Sequence, residues 1–276
     1  MGTSQSSKGA PSNVPIVPPW ADNGTPQNPP DSNPNDTTPS NPDNTNPNNL
    51  PIAPGRRFFG ARINLNKFAS NGDKTYLKRG VGHYVRTGYG GSQTATQRLS
   101  RTISTAGALY NALSYSSSGQ SSGTSPDIDF DALRGKSFDQ ITDALIEAIR
   151  PIDGDLDSEA SQKSMKDAFS ELLGKYENAD LLNLSEEQRL FVIEKFIAGD
   201  VFTRFDLDMG KDIRRNASSH ASALSRLKEA KDYIKETVAS SFKKIDKTIA
   251  FTSKTIVSAI KDTLEDAFHV FESYAI

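Results

Sequence analysis

Proline divides this chain in two. Thirteen of its fifteen prolines lie before residue 56. Proline has no backbone N–H and clashes with the preceding helical turn, so no helix runs through such a segment. A core cannot form there either. From Ala21 to Asn49 no aliphatic side chain is larger than alanine. Too little apolar surface is on offer to offset the entropy of ordering the chain. Residues 1–55 are therefore expected to be a disordered, Pro/Asn-rich tail with much polyproline II character. The remaining residues, 56–276, are ample for a hydrophobic core.

Composition narrows the class. There is no cysteine, which removes disulfides, Cys-ligated zinc and thiol nucleophiles and fits a reducing compartment. No apolar run approaches the ~18 residues of a membrane span, and the first residues carry no hydrophobic signal region. A soluble, cytoplasmic protein with no membrane contact is expected. The net charge of −2 conceals an asymmetry. Residues 56–101 hold ten Lys/Arg against one acid, Asp73, whereas residues 126–208 hold nine Lys/Arg against twenty Asp/Glu. Such blocks can serve each other or separate partners.

The apolar pattern beyond the tail is helical. Phe58, Phe59, Ile63, Leu65 and Phe68 are too irregular for a strand, and Asn71-Gly72-Asp73 marks a turn. Tyr76, Leu77, Val81, Tyr84 and Val85 recur at helical spacing, which predicts a helix near 73–86. Gly88, Gly90 and Gly91 end it. Ser92 then reads as the cap of a second helix, with Ala95, Leu99, Ile103, Ala106, Tyr110 and Leu113 on one face. Residues 116–126, SSSGQSSGTSP, read as a flexible linker. Ser137 with Gln140 and Ser185 with Gln188 form capping boxes, and Pro151 stops the helix that the first one opens. Residues 158–175 form another helix. From about Asp212 to Ser273 there is no proline, and Leu224, Leu227, Ile234, Val238, Phe242, Ile245, Ile249, Ile256, Ile260, Leu264 and Phe268 imply one very long helix or two in series. The expected fold is mainly α, a helical bundle. Its parts are the tail 1–55, a basic Gly-containing helical segment 56–115, the linker 116–126, and a helical domain 127–276 with long C-terminal helices.

Candidate chemistry is sparse. The run TGYGGSQT, residues 87–94, leads into a helix as anion-binding loops do, but it lacks the lysine of a P-loop. It reads as a turn and a cap. DIDFD at 127–131 and DGDLD at 153–157 begin like calcium loops. They lack glycine at loop position six and glutamate at twelve, so they read as acids at helix starts. His83, His220 and His269 lie in separate segments without ligand spacing. No metal, cofactor or catalytic residue is expected, and the chain reads as no enzyme. The basic block is more suggestive. Arg56, Arg57, Lys78, Arg79, Arg86, Arg98 and Arg101, interleaved with tyrosines and phenylalanines, are candidates for nucleic-acid contact. The alternative is a solvated face that packs against the acidic half or against another protein.

The first residues are the other candidate. MGTSQS fits a myristoylation pattern, although no polybasic second signal is near. Glycine after the initiator methionine also favours removal of Met1, leaving a free Gly2 amine. An α-amine titrates near 7.7–8.0, so a useful share is neutral and nucleophilic at cellular pH. Thr3 and Ser4 follow it. Val14, Ile16, Val17, Pro18, Pro19 and Trp20 then make a rigid apolar anchor of the kind that docks into grooves.

These same motifs carry a family resemblance. The MGTS start, the polar spacer and Pro18-Pro19-Trp20-Ala21 resemble the QatB family. So does FGARINLNKFASNGDKTYLKRGVGHYVRTGYGGSQTATQRLSR, residues 59–101, with its Tyr84-Val85-Arg86 and Gly90-Gly91. The resemblance implies a component of a four-gene bacterial anti-phage system. The others are an ATPase, an enzyme resembling QueC of 7-deazaguanine biosynthesis, and a TatD-like DNase. QueC-type enzymes use ATP to activate a deazaguanine carboxylate for attack by an amine. The resemblance therefore makes Gly2 a candidate acceptor and residues 3, 4 and 14–20 a candidate docking peptide for the QueC-like enzyme. The alternative is a nucleic-acid-binding adaptor using residues 56–101. That reading predicts salt-dependent DNA binding by the tail-less protein, weakened by charge reversal at Arg56, Arg57, Lys78 and Arg79. Binding that ignores salt in a titration would count against it.

Overall fold

The structure is a computed structural model that describes residues 54–118, 128–151, 156–245 and 251–276. The Gly2-to-Trp20 motifs lie outside the described residues, as do most of the 116–126 linker and the start of DGDLD. The described part is built from ten α-helices and one π-helical turn, with no strand among the described residues. The mainly α bundle expected from periodicity is what forms.

The helices are α1 (Phe59–Asn71), α2 (Lys74–His83), α3 (Ser92–Arg98), α4 (Ser100–Ser118) and α5 (Phe130–Leu133). They continue with α6 (Phe138–Ile149), α7 (Leu156–Lys175), α8 (Glu186–Asn216), α9 (His220–Phe242) and α10 (Ser253–Glu272). The π-turn (Tyr84–Gly88) extends α2. Local signals set most ends. Gly72, at φ 78°, closes α1 by donating its N–H to the Phe68 carbonyl. Asp73 caps α2 by accepting from the Thr75 N–H at 2.8 Å. The capping boxes of Ser137 with Gln140 and Ser185 with Gln188 are both closed. Thr252 with Thr255 makes a third, ahead of α10.

The set Phe58 to Phe68, too irregular for a strand, is helix α1. Ala61, Leu65, Phe68 and Ala69 are its inner face, while Phe59 and Ile63 point outward and blur the pattern. Three readings need correction. The helix after the glycines is two helices, broken at Leu99 (φ −93°, ψ 17°). Ser92 is not its cap. Gly91 holds that position and Ser92 is the first helical residue. Leu224, expected inside, is 57% exposed. The proline-free end of the chain resolves into the last turn of α8 and two further helices, α9 and α10.

α8 organises the body. Its 31 residues span roughly 46 Å. It packs against α1, α4, α7 and α9. Leu190, Ile193, Phe196, Ile197, Phe205, Met209 and Ile213 are buried along it, too many for one stripe. A helix surrounded on several sides must be apolar on several sides. α10 then closes the bundle over α2, α3, α4 and the π-turn. Basic-segment residues such as Leu65 and Leu109 share one core with Phe169 and Phe196 of the later helices. Phe196→Ala should lower the unfolding free energy by about 3–5 kcal/mol, through lost transfer energy and a residual cavity. Leu224→Ala should stay within about 0.5 kcal/mol. Urea denaturation of the two variants checks both.

Candidate functional site: a tyrosine, aspartate and arginine cluster at the π-turn

The polar groups of the body converge where the π-turn meets α8. Five residues along an α-helix would place Tyr84 and Tyr89 about 140° apart. The π-turn instead closes with the Tyr89 N–H donating to the Tyr84 carbonyl at 3.1 Å. Both phenols then reach Asp208 Oδ2, from Tyr84 at 2.9 Å and from Tyr89 at 2.7 Å. The two hydroxyls lie 3.1 Å apart. Each has one proton to donate, so the trio holds as a fork on the carboxylate or as a chain through Tyr89. Phe58 stacks on Tyr84 at 5.6 Å, and Phe205 meets its edge at 5.3 Å. Gly88 is required here, because a Cβ on it would lie 2.3 Å from the Phe58 ring.

Charge surrounds the phenols. The Arg98 guanidinium sits 4.9 Å above the Tyr89 ring, and Arg57 sits 4.8 Å from the Phe58 ring centre. Arg57 Nε and Nη1 are buried and have no hydrogen-bond partner among the described residues. Burial, then the charge of Arg98, pulls the Arg57 pKa below the usual arginine range, against the pull of Tyr89, Asp208 and Tyr84. Further along α8, Arg204 bridges Asp200 and Asp157 at 3.3 Å each. Asp200 is buried and also accepts from Thr102 Oγ1. Burial raises the Asp200 pKa, and Arg204 with the Thr102 hydroxyl offsets part of that rise. Between the two groups lies a cavity of about 80 Å³ walled by Tyr84, Tyr89, Arg98, Leu99, Val201 and Arg204.

The chemistry of this cluster is that of donors held in place. Burial, then the Asp208 charge, raises the pKa of both phenols, so each stays protonated. A neutral phenol donates and does not serve as a base. Ser92 and His269 make the other arrangement that invites a catalytic reading. Ser92 Oγ lies 3.1 Å from Nδ1 and 3.3 Å from Nε2, in line with neither, and the Ser92 N–H is already given to Glu272 Oε2 at 3.0 Å. Together with Arg86 Nη1 donating to the Ala275 carbonyl at 2.8 Å, this latches the end of α10 onto the glycine turn.

The sequence candidates fall in several places. Arg57 and Arg98 meet at the cluster. Arg86 is bonded to Ala275, and the Lys78 ammonium lies 5.1 Å over the Tyr274 ring. Arg56 and Arg79 are exposed, and Arg101 is partly buried in α4. Arg56 holds φ 59°, an uncommon conformation for a non-glycine residue. Asp129 caps α5 through the Ala132 N–H at 3.0 Å, and no group of three or more His, Cys, Asp or Glu among the described residues is placed to hold a metal ion. His83 is packed under α1, next to Gly60, while His220 is exposed and His269 touches Ser92. Tyr84, Tyr89 and Asp208 were not singled out together. They are 124 and 119 residues apart, and only the fold joins them.

A body of this kind is an all-helical scaffold whose polar groups hold one another. The family profile of the Qat anti-phage system associated protein QatB matches residues 90–271. The match spans α3 through most of α10, and the chain belongs to the QatB family. It covers the helical body from α3 onward, whereas the motifs that carried the resemblance lie mainly before it. No curated protein matches the chain, and no solved structure does.

Tyr89→Phe should remove a charge-assisted bond and cost about 1.5–3 kcal/mol in urea denaturation. The linkage sign is fixed by the raised phenol pKa values. Unfolded tyrosines lose protons near pH 10 while Tyr84 and Tyr89 keep theirs, so stability is full below about pH 10 and falls above it. Tyr89→Phe should lessen that fall, as stability measured from pH 8 to 11 would show.

Proposed function

We propose that this chain serves the Qat anti-phage system as the protein substrate and binding partner of its QueC-like enzyme, with the Gly2 amine as acceptor after Met1 removal. The observation that supports it is the join of two unlike parts in a QatB-family chain. The helical body offers locked phenols, just ahead of the matched residues 90–271, and paired ions within them. The opening offers a small N-terminal residue, a polar spacer and the Val14–Trp20 anchor. A glycine amine has no side chain to obstruct a narrow pocket. In the proposed step the enzyme activates a deazaguanine carboxylate as its adenylate. The neutral amine attacks the acyl carbon, a C–N amide bond forms, the C–O bond to AMP breaks, and the amine gives up a proton. The system's ATPase and TatD-like DNase are further candidate partners. No described helix is long and apolar enough to cross a membrane, and a cytoplasmic site of action is part of the proposal.

The adaptor reading stands second. It needs arginines directed outward, and Arg57, Arg86 and Arg98 make contacts within the body that compete with phosphate binding.

Tandem mass spectrometry of the N-terminal peptide tests the proposal, with the chain expressed alone and with its genomic neighbours. The expected outcome is Met1 loss in both and a mass increase on Gly2 only in the second. Conjugation in vitro should accelerate as pH rises through about 7.7–8.0, where the amine deprotonates. Gly2→Leu should abolish the adduct and phage protection without changing the helical circular dichroism. Full protection by that variant would refute the proposal.

A further inference from the structure

A groove of about 510 Å³ runs between α2, α9 and α10. Leu77, Tyr233 and Val270 give it an apolar floor, and Lys74, Lys78 and Lys244 stand at its edges. Val270 on α10 and Tyr274 in the turn that follows it are 41% and 37% exposed and continue that floor outward. Lys78 lies across the Tyr274 ring, and the Tyr233 ring meets Phe271 edge-on at 5.6 Å. Tyr233 lines the groove, and its Oη is buried. Burial, then the neighbouring Tyr274, raises its pKa, so it remains a donor.

An apolar, tyrosine-bearing floor edged by lysine donors suits one kind of ligand. A proline-rich segment offers carbonyl acceptors with few N–H groups to match them. It is stiff, so it loses little entropy on docking, and aromatic grooves are its usual receptors. This chain carries one such segment, Val14-Pro15-Ile16-Val17-Pro18-Pro19-Trp20. We infer that the groove between α2, α9 and α10 is the docking site of Val14–Trp20 from the same chain.

The tether permits it. Residues 21–53, between Trp20 and the described body, have a typical end-to-end reach of roughly 30 Å. The chain enters the body at Pro54, four residues before Phe58, and Phe58 stacks on Tyr84. Tyr84 lies six residues beyond Lys78, about 9 Å along helix α2 and the π-turn. The groove therefore begins well within the reach of the tether. At that length the segment is presented at an effective concentration on the order of 1 mM, enough to sustain a weak docking contact. Docking would withhold the anchor from a partner until the partner competes for it. The inference holds whatever the chemical fate of Gly2.

Trp20 is the chain's one tryptophan, so it reports its own surroundings. The full chain, expressed alone and unmodified, is compared with a synthetic peptide of residues 2–24 by emission spectrum and acrylamide quenching. Docking predicts blue-shifted emission and at least twofold weaker quenching in the chain, unchanged over a hundredfold dilution. Val270→Glu and Tyr274→Ser, both at exposed positions, should restore peptide-like values. So should the tail variant Pro18→Ala/Pro19→Ala, which leaves the body untouched. Peptide-like values in the parent chain would overturn the inference. So would protection that survives the groove variants, or protection lost on dilution, which would make the occupant a second copy. None of these readouts depends on conjugation, so failure here and failure of the substrate role are separable.

Discussion

The burial of α8 on several sides is the constraint from which the rest of this body follows. A helix of 31 residues in contact with α1, α4, α7 and α9 cannot keep a solvated face along its whole length. Every polar group on its inner turns must then find a partner or leave a costly vacancy in the hydrogen-bond pattern. Asp200 and Asp208 show the two solutions. Asp200 is held by Thr102 of α4 and by Arg204 one turn on. Asp208 is held by two phenols from the π-turn. Each aspartate therefore fixes where another element must sit. The π-turn is understandable in the same terms, since only its wider winding turns Tyr84 and Tyr89 toward one carboxylate.

What the sequence revealed and what it hid divide along the same line. Helix starts written within four residues, such as Ser137 with Gln140, could be read because donor and acceptor are both local. The all-helical class could be read because apolar spacing repeats over many turns. Helix α1 was obscured because Phe59 and Ile63 sit on its outer face, where burial does not select them. Ser92 misled because its position after two glycines is right for a cap, while its real partners, Glu272 and His269, come from the far end of the chain. The Tyr84, Tyr89 and Asp208 cluster had no local signal at all. The basic block was visible as composition. That several of its members would be spent on Phe58, Tyr89, Tyr274 and Ala275 was visible only in three dimensions.

The family match and the motif resemblance bear on different parts of one molecule. The profile spans residues 90–271, where packing dictates the pattern of side chains. The motifs lie in residues 59–101, which overlap its start, and in the opening residues 1–21, where a sequence preference points to something that binds them. A segment whose composition cannot support a core, yet which carries seven consecutive large apolar or proline residues ending in the chain's one tryptophan, is poorly explained by reach alone. Spacer function would be met by the polar stretch from Ala21 to Asn49.

The proposed partner and the inferred groove would be two receptors for one anchor, which gives the tail a physical logic. A tethered segment competes with a free partner through the ratio of its effective concentration to its intrinsic dissociation constant. A groove that binds weakly then lowers the partner's apparent affinity by a modest factor and shields apolar side chains from nonspecific contacts. A groove that binds strongly would silence the tail. The rim of this one mixes Lys74 and Lys78 with Asp232, Glu236 and a Glu229 already paired with Arg226, so its affinity rests on a floor of three apolar side chains. That places it on the weak side. On the proposed reading the anchor would remain within reach of a partner that offers a deeper site, and Gly2, twelve residues ahead of Val14, would lie outside the groove in either state.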